Sequence, residues 1–271
     1  MYAIETVYRI HRRVLPGVRS CQDRLVARKK KIRAARKSRG SFELLWNVPV
    51  RTKRGTKPQF RLEDTVQAAI KVADALGVAG LTMGRIAQQL SVTTMALYRY
   101  VPGKEQLVDL MIDAALKEPP KPTGRGWRSE MESWARAELA LFLHHRWLFE
   151  ATSTRASLGP NWVKWLEAAF SALSTTPLST SEIMAVLLLI DGHVRSSAQI
   201  MVGAKASREW AENFTRMLKT VGQGDSRYPT LSRLITTGRF SEPDVSLNQM
   251  FEFGLQRLLN GIESYVSEAG R

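Results

Sequence analysis

The chain has 271 residues, 44% of them hydrophobic, and a formal net charge of +15. This length can support one large or two modest domains with a buried core. The single cysteine, Cys21, excludes an intramolecular disulfide and suits a reducing compartment. The longest uninterrupted apolar run, Ile183 to Ile190, is too short to span a bilayer. Helical periodicity recurs along the chain and strand alternation does not stand out, so we predict an all-α protein.

The positive charge is concentrated at the N-terminus. Residues 1–60 contain 17 Lys and Arg but only three Asp and Glu, whereas the remainder of the chain is nearly neutral. No apolar core follows the early charges, so this segment is not a secretory signal. Residues 1–40 leave three interpretations open: a disordered tail, an upstream extension from a misassigned start codon, or an arm that adds nonspecific contacts to phosphate.

The first helix of the folded region is predicted at about Leu62–Leu76. Glu63 and Asp64 lie in its first turn, where acidic groups favour the helix dipole, and Gly77 is a plausible C-cap. A second predicted helix runs from about Lys104 to Leu116. The residues expected on the inner faces of these two helices are Val66, Ala69, Ile70, Ala73, Leu76, Leu107, Leu110, Met111 and Ala114.

Between these helices, residues 81–104 read LTMGRIAQQLSVTTMALYRYVPGK. Thr82 and Thr93 can each cap a short helix with a side-chain oxygen, Ser91 and Val92 form the turn, and Pro102-Gly103 ends the second helix. The apolar positions fit the spacing of a helix-turn-helix, with small Ala87 where the two helices cross. Ser91 stands where a residue that tolerates positive φ is wanted. An ordinary helical hairpin without a DNA role is the alternative.

The pattern LTM..IA..L.V...ALY.YV.GK..L.D, within about Arg61 to Glu118, resembles the DNA-binding domain of the tetracycline-repressor (TetR) family. The resemblance implies a recognition helix in the DNA major groove, and basic residues before the first helix as an arm. Gly84 departs from the polar residue common at its position, which puts one phosphate contact in doubt. The implied DNA-binding residues are Thr82, Met83, Thr93, Thr94, Met95, Ala96, Tyr98, Arg99, Tyr100 and Lys104, with Arg51, Lys53, Arg54 and Lys57 in the arm.

A second helical domain is predicted after the Pro- and Gly-rich residues 119–126. Its segments GPN...WLE, DGHVR and FEFGL..LL.GIE resemble, more loosely, the all-helical effector-binding and dimerisation domain of the same family. The resulting organisation is a basic, disordered extension at 1–57, a three-helix helix-turn-helix DNA-binding domain at 58–118, and a C-terminal ligand-binding and dimerisation domain at 127–271. Predicted helices of the last domain are 127–144, 146–156, 160–174, 179–202, 207–221 and 246–268, with a short helical piece at 230–236.

Two features of the C-terminal domain suggest binding surfaces. Apolar residues recur at intervals of four and three in the last helix, which is typical of a coiled-coil-like dimer interface; packing within the chain is the alternative. These residues are Phe251, Leu255, Leu258, Ile262 and Tyr265. Aromatic, Met and His residues of the middle helices suit a small-molecule pocket, with a plain core as the alternative. They are His144, Trp147, Trp162, Trp165, Phe170, His193 and Met201.

Enzyme motifs are missing from the sequence: we find no GxGxxG, P-loop, GxSxG or HExxH. No metal site and no cofactor are predicted beyond an unknown small-molecule effector. We therefore expect a bacterial cytoplasmic regulator, nucleoid-associated when bound to DNA and with no membrane role, that acts as a homodimer and ligand-released repressor on a palindromic double-stranded operator. The alternative is a nonspecific basic nucleic-acid-binding or architectural protein, which would not explain the helix-turn-helix spacing.

Overall fold

The computed structural model describes residues 40–46, 61–155, 158–206, 208–224, 226–238 and 246–270. These residues form helices and connecting turns, without a β-strand among them. The helices are α1 (Ser41–Leu45), α2 (Leu62–Leu76), α3 (Met83–Gln89), α4 (Thr94–Leu97), α5 (Lys104–Leu116), α6 (Trp127–His144), α7 (Trp147–Thr154), α8 (Pro160–Leu173), α9 (Thr180–Ala206), α10 (Arg208–Val221), α11 (Pro229–Thr236) and α12 (Leu247–Ala269). The all-α prediction is confirmed.

Helices α2 to α5 form a small helical group around a shared apolar core. Ile86, Leu97 and Leu107 are completely buried there. The small side chain of Ala87 is also buried, as expected where α3 meets its neighbours. Burying such side chains is worth about 1.5–3 kcal/mol each, so these few residues contribute strongly to holding the short helices α3 and α4 in place.

Helices α6, α8, α9 and α12 build the larger part of the protein. The long helix α9 packs against both α6 and α12, and its residues Ile190, Val194 and Ala198 are fully buried. Thr180–Gly203 is long and apolar enough to cross a membrane by length and composition. Part of this apolar surface is buried where α9 packs against α6 and α12, whereas Leu188 and Leu189 are exposed, at 62% and 49%.

Helix positions agree closely with the sequence analysis, but three details differ. Helix α1 was not predicted: it lies in the segment expected to be disordered, but Leu44 is buried and the helix packs against α5. Leu76, predicted to face the core, is 54% exposed; it is the last residue of α2, directly before the C-cap Gly77. The second helix of the helix-turn-helix ends at Leu97 and not at Pro102-Gly103. Beyond Leu97 the chain forms turns; in one of them the Tyr100 backbone N–H donates to the Leu97 carbonyl at 2.9 Å.

Candidate DNA-reading helix and effector cavity

The start of each helix in the helix-turn-helix is fixed by a threonine side chain. Thr82 Oγ1 accepts a hydrogen bond from the Arg85 backbone N–H at 3.2 Å, and Thr93 Oγ1 accepts one from Ala96 at 3.3 Å. Between them Ser91 has φ 55°, the left-handed conformation expected at this turn. The strain of this conformation in a non-glycine residue costs about 1–2 kcal/mol, which the buried neighbours of the turn offset.

Helix α4 and the turn after it present an exposed surface. Met95 is 72% exposed and Tyr98 is 48% exposed, and Thr94 and Arg99 are exposed beside them. Leu97, in contrast, is completely buried and anchors the helix from behind. The arrangement leaves a short helix with one face held by the core and the other free to meet a groove.

The other predicted DNA-contact residues occupy different positions. Thr82 and Thr93 are exposed but act as helix caps, and Ala96 and Tyr100 are half-buried. The side chain of Met83 is buried, so it cannot reach DNA from this position and only its backbone could do so. Lys104 donates from Nζ to the Val78 carbonyl at 2.9 Å, which ties the start of α5 to the loop after α2. The predicted arm residues Arg51, Lys53, Arg54 and Lys57 lie outside the described residues.

A cavity of about 320 Å³ opens among helices α5 to α9. Most of its wall is apolar or aromatic, with a small set of polar side chains, which is typical of small-molecule sites. The apolar lining residues are Ile112, Leu116, Trp134, Leu141, Phe142, Leu148, Trp162, Trp165, Leu166, Met184, Leu187 and Leu188. The polar ones are Glu138, Thr152, Arg155, Asp191 and Arg195.

Only two of the seven predicted pocket residues, Trp162 and Trp165, line this cavity. His144 is exposed, Phe170 is half-buried, and Met201 is buried elsewhere in the core. Trp147 Nε1 donates to Asp74 Oδ1 at 2.7 Å, and His193 Nε2 lies 2.9 Å from the Phe251 carbonyl. Trp147, His193 and Met201 are therefore held by a partner or by the core away from the cavity, and the other two residues, His144 and Phe170, do not line it either.

The polar residues of the cavity were missed in the sequence analysis. Glu138 occupies the buried face of α6 together with Trp134 and Phe142, at helical spacing. An acidic residue within an apolar face is costly to bury, and that interruption of the pattern is the signal that could have identified it. Asp191 and Arg195 were harder to identify, because their role depends on how α9 packs against α6.

The cavity wall is tied directly to α5, the last helix of the DNA-reading group. Asp113 Oδ1 on α5 accepts hydrogen bonds from the backbone N–H groups of Asn161 and Trp162, at 3.0 and 3.1 Å, at the start of α8. Burial raises the pKa of the Asp113 carboxyl, against these donors that favour its ionised form. Arg155 NH1 also reaches Asp109 Oδ1 on α5 at 3.3 Å.

A second connection joins α2 to the turn between α6 and α7. Asp74 Oδ1 lies 2.7 Å from His145 Nδ1 and also accepts a hydrogen bond from Trp147 Nε1 at the same distance. Both aromatic partners are buried. The helix-turn-helix group, α2 to α5, is therefore attached to the cavity-bearing helices at two separate places, through α5 and through α2.

Comparison with known proteins assigns both parts of the chain. Residues 66–111 match the family model of bacterial regulatory proteins of the tetR family, and residues 118–266 match the tetracyclin repressor-like C-terminal domain, which covers more than half of the chain. The chain belongs to the TetR family. This is a family of DNA-binding transcriptional regulators and not of enzymes.

Relatives and solved structures agree with this TetR assignment. The HTH-type transcriptional repressor DrrR1 of Streptomyces coeruleorubidus is 35% identical over 240 residues, which cover 84% of this chain and 86% of that protein. An HTH-type transcriptional regulator of Saccharopolyspora erythraea is 26% identical over 229 residues, covering 83% and 93%. The structure of ActR from Streptomyces coelicolor in complex with actinorhodin superposes with a TM-score of 0.65, at 25% identity, covering 76% and 98%.

This TetR chain also carries an exposed apolar surface on α9 and α12. Leu189 is 49% exposed, Phe253 is 66% exposed and Tyr265 is 48% exposed, and a groove between the two helices includes Leu258 and Gly261. Of the predicted dimer residues, Phe251, Leu255 and Ile262 instead pack inside the chain's own core, at 2%, 0% and 6% exposure. The inner face of α12 consists of Phe251, Leu255, Leu259 and Ile262, whereas the predicted Leu258 and Tyr265 line the outer groove.

No metal site stands out within the described part of the chain, where no group of three or more His, Cys, Asp and Glu residues could hold a metal ion.

Proposed function

We propose that this chain is a ligand-released repressor that binds a near-palindromic operator as a homodimer. The observation that carries the proposal is the continuity of α5, which belongs to the DNA-reading group and whose Ile112 and Leu116 line the cavity. A molecule in the cavity therefore touches α5, which packs against α2; α2 packs against α3, and α3 against α4. The proposed division is an extension at 1–57, a DNA-binding domain at 58–118 and an effector and dimerisation domain at 127–271, acting in the cytoplasm.

The proposed release mechanism is a shift between two arrangements of the dimer. An effector that fits the cavity better when α5 and α8 move apart favours a dimer whose two recognition helices are wrongly spaced for the operator. Correct spacing places them in successive major grooves, about 34–36 Å apart. The loss of operator affinity then equals the difference in effector affinity between the two arrangements.

Dimerisation in this proposal uses the outer faces of α9 and α12. Leu189, Phe253 and Tyr265 leave apolar area in water, and two helices from each subunit would bury it in a four-helix arrangement. Such burial contributes about 25 cal/mol per Å² of apolar surface. Homodimers and small-molecule effectors are typical of TetR regulators, and ActR, with its actinorhodin complex, is a relative with a bound small molecule.

The function can be tested by selecting binding sites for the purified protein from random duplex DNA, followed by footprinting and sedimentation. We expect protection of one short near-palindrome by a dimer. Equal binding to any nucleic acid would contradict the proposal and favour the nonspecific architectural alternative suggested by the basic N-terminus. DNA adjacent to the gene is the first natural fragment to test, since regulators of this kind often control neighbouring genes.

A further inference from the structure

The side chain of Glu138 is an unusual feature of the cavity wall. It is only 7% exposed, it lines the cavity, and its Oε2 has no hydrogen-bond partner among the residues that the structure describes. A buried acceptor without a partner costs about 1–3 kcal/mol. The protonated Glu138 carboxyl hydrogen-bonds with the Asp191 carboxylate, whereas the ionised form lacks a donor and can accept one from a molecule in the cavity.

The basic residues around Glu138 are already engaged with other acids. Arg195 Nε lies 2.9 Å from both Asp191 oxygens, its NH1 donates to Thr152 at 3.0 Å, and its guanidinium lies 4.8 Å from the centre of the Phe142 ring. Arg155 pairs with Asp109 and Glu105 of α5. Asp191 and Arg195 therefore neutralise one another, and an ionised Glu138 would leave one negative charge in the cavity.

The aromatic wall offers ring faces more than hydrogen-bond donors. The indole N–H of Trp134 donates to the Trp165 carbonyl at 3.1 Å, and the indole N–H of Trp165 donates to the Leu116 carbonyl at 3.0 Å. Trp162 adds a third ring at the cavity edge. Ring faces stack on flat aromatic molecules and attract cations, and the donor that Glu138 lacks must then come from the ligand.

We propose that the effector is a flat aromatic cation, whose ammonium N–H is bound by Glu138 while its rings lie against the tryptophans. This inference rests on the proposed effector role of the cavity and adds the chemical class of the ligand. A ligand carboxylate is disfavoured because it would meet Glu138 and Asp191. A neutral hydroxyl could reach the same oxygen but carries no charge that would favour the ionised form of Glu138.

Proton release is a direct consequence of this mode of binding. Burial, and next the negative charge of Asp191, raise the pKa of Glu138 well above its ordinary value, with Arg195 opposing the shift. The free protein therefore holds a proton on Glu138 at pH values where an exposed Glu is ionised. A bound ammonium favours the ionised form, so affinity for the cation rises with pH up to the raised pKa and then becomes constant.

Three probes with one ring system test the charge of the ligand. They are 9-(aminomethyl)anthracene, 9-anthracenemethanol and anthracene-9-carboxylate, titrated into the full-length protein and followed by fluorescence. We expect the ammonium probe to bind about tenfold or more tightly than the alcohol, because charge-assisted hydrogen bonds are roughly twice as strong as neutral ones. The carboxylate should bind most weakly.

Glu138→Gln keeps the size of the side chain and removes its charge. It should bring the ammonium probe to the affinity of the alcohol and abolish both the rise with pH and the proton release measured calorimetrically in two buffers. The matched control is Glu167→Gln, an exposed acid on α8 that does not line this cavity, which should behave as wild type. If the Gln variant does not fold, Glu138→Met serves the same comparison.

Two results would overturn the inference. One is equal binding of the ammonium and alcohol probes, or no binding of either; the other is a preference for ammonium that persists in Glu138→Gln. Neither result decides the proposed repressor function, since operator binding by the ligand-free wild-type dimer is measured separately.

Discussion

At the scale of single residues, Thr94 and Tyr98 have the best position for reading DNA. Both are exposed on or directly after α4, while Leu97 between them is buried and fixes their direction. We expect Thr94→Ala and Tyr98→Ala each to weaken operator binding by about 1–3 kcal/mol where a base contact is lost. Titration against operator DNA measures the effect, with circular dichroism and sedimentation as controls. Unaltered affinity in both variants would refute this assignment.

A substitution at Gly84 is expected to strengthen DNA binding, in contrast to those at Thr94 and Tyr98. It is exposed on α3, and a Cβ added there meets only Thr82 Oγ1, at 4.0 Å. Gly84→Arg should therefore fit and add one phosphate contact, steepening the dependence of log affinity on log salt by about 0.9.

Gly84→Ala is the matched control for the added charge. It should stabilise the helix by up to about 1 kcal/mol without changing the salt dependence. A salt titration of both variants separates the two effects. An unchanged slope for Gly84→Arg would place this part of α3 away from the DNA backbone.

At the scale of helices, the contact between α5 and α8 depends on a glycine. A Cβ on Gly159 would lie 2.2 Å from Asp113 Oδ1 and 2.8 Å from Asp113 Cβ. The close approach allows Asp113 to accept the N–H groups at the start of α8. Trp162 of the cavity wall follows in the first turn of that helix, so the same contact links the cavity to α5.

We expect Gly159→Ala to destabilise the protein by about 1–3 kcal/mol, in the range usual for overpacking, and to weaken effector-induced release. Thermal unfolding and operator release measure the two effects. Gly203→Ala on α9 is the control, because a Cβ there meets nothing within 4 Å. If the Gly159→Ala variant were as stable as wild type, α8 could shift to make room for the Cβ without loss of stability.

At the scale of the whole molecule, the exposed face of α9 and α12 predicts that two chains form a dimer through this face. Leu189→Glu should yield monomers, because a charge would be buried without a partner, and operator affinity should collapse although α4 is unchanged. Leu255→Ala is the contrasting variant: it is completely buried and should cost about 2–5 kcal/mol of stability. Sedimentation showing an undiminished Leu189→Glu dimer would place the interface elsewhere.

The positive charge of the N-terminal residues is expected to affect the DNA affinity of the whole molecule. We expect replacement of Arg51, Lys53, Arg54 and Lys57 by Ala to flatten the salt dependence of DNA binding and to weaken all sequences about equally. Deletion of residues 1–40 should cost little sequence-specific affinity. A salt titration of the two variants and the full-length protein shows which of the two segments contacts phosphate. Flattening by the deletion alone would identify the distal tail as the DNA contact.

The sequence alone determined the helices and the helix-turn-helix. Thr82, Thr93, Gly77 and Ser91 act on backbone groups within a few residues of themselves, so their capping and turn conformations follow from local chemistry. Ile86, Ala87 and Leu97 pack between two helices that are neighbours in the sequence. Their spacing was therefore enough to predict that pair of helices and the surface that the pair exposes.

Only the tertiary structure decided the cavity and the outer face of α12. The cavity joins side chains from five helices, and Glu138, Asp191 and Arg195 come together in its wall only when α6 and α9 pack together. Periodicity in the last helix identified an apolar face at Phe251 and Leu255, but it could not tell whether that face meets the same chain or a second one. Burial depends on contacts between distant segments, and a repeating pattern in one helix does not contain them.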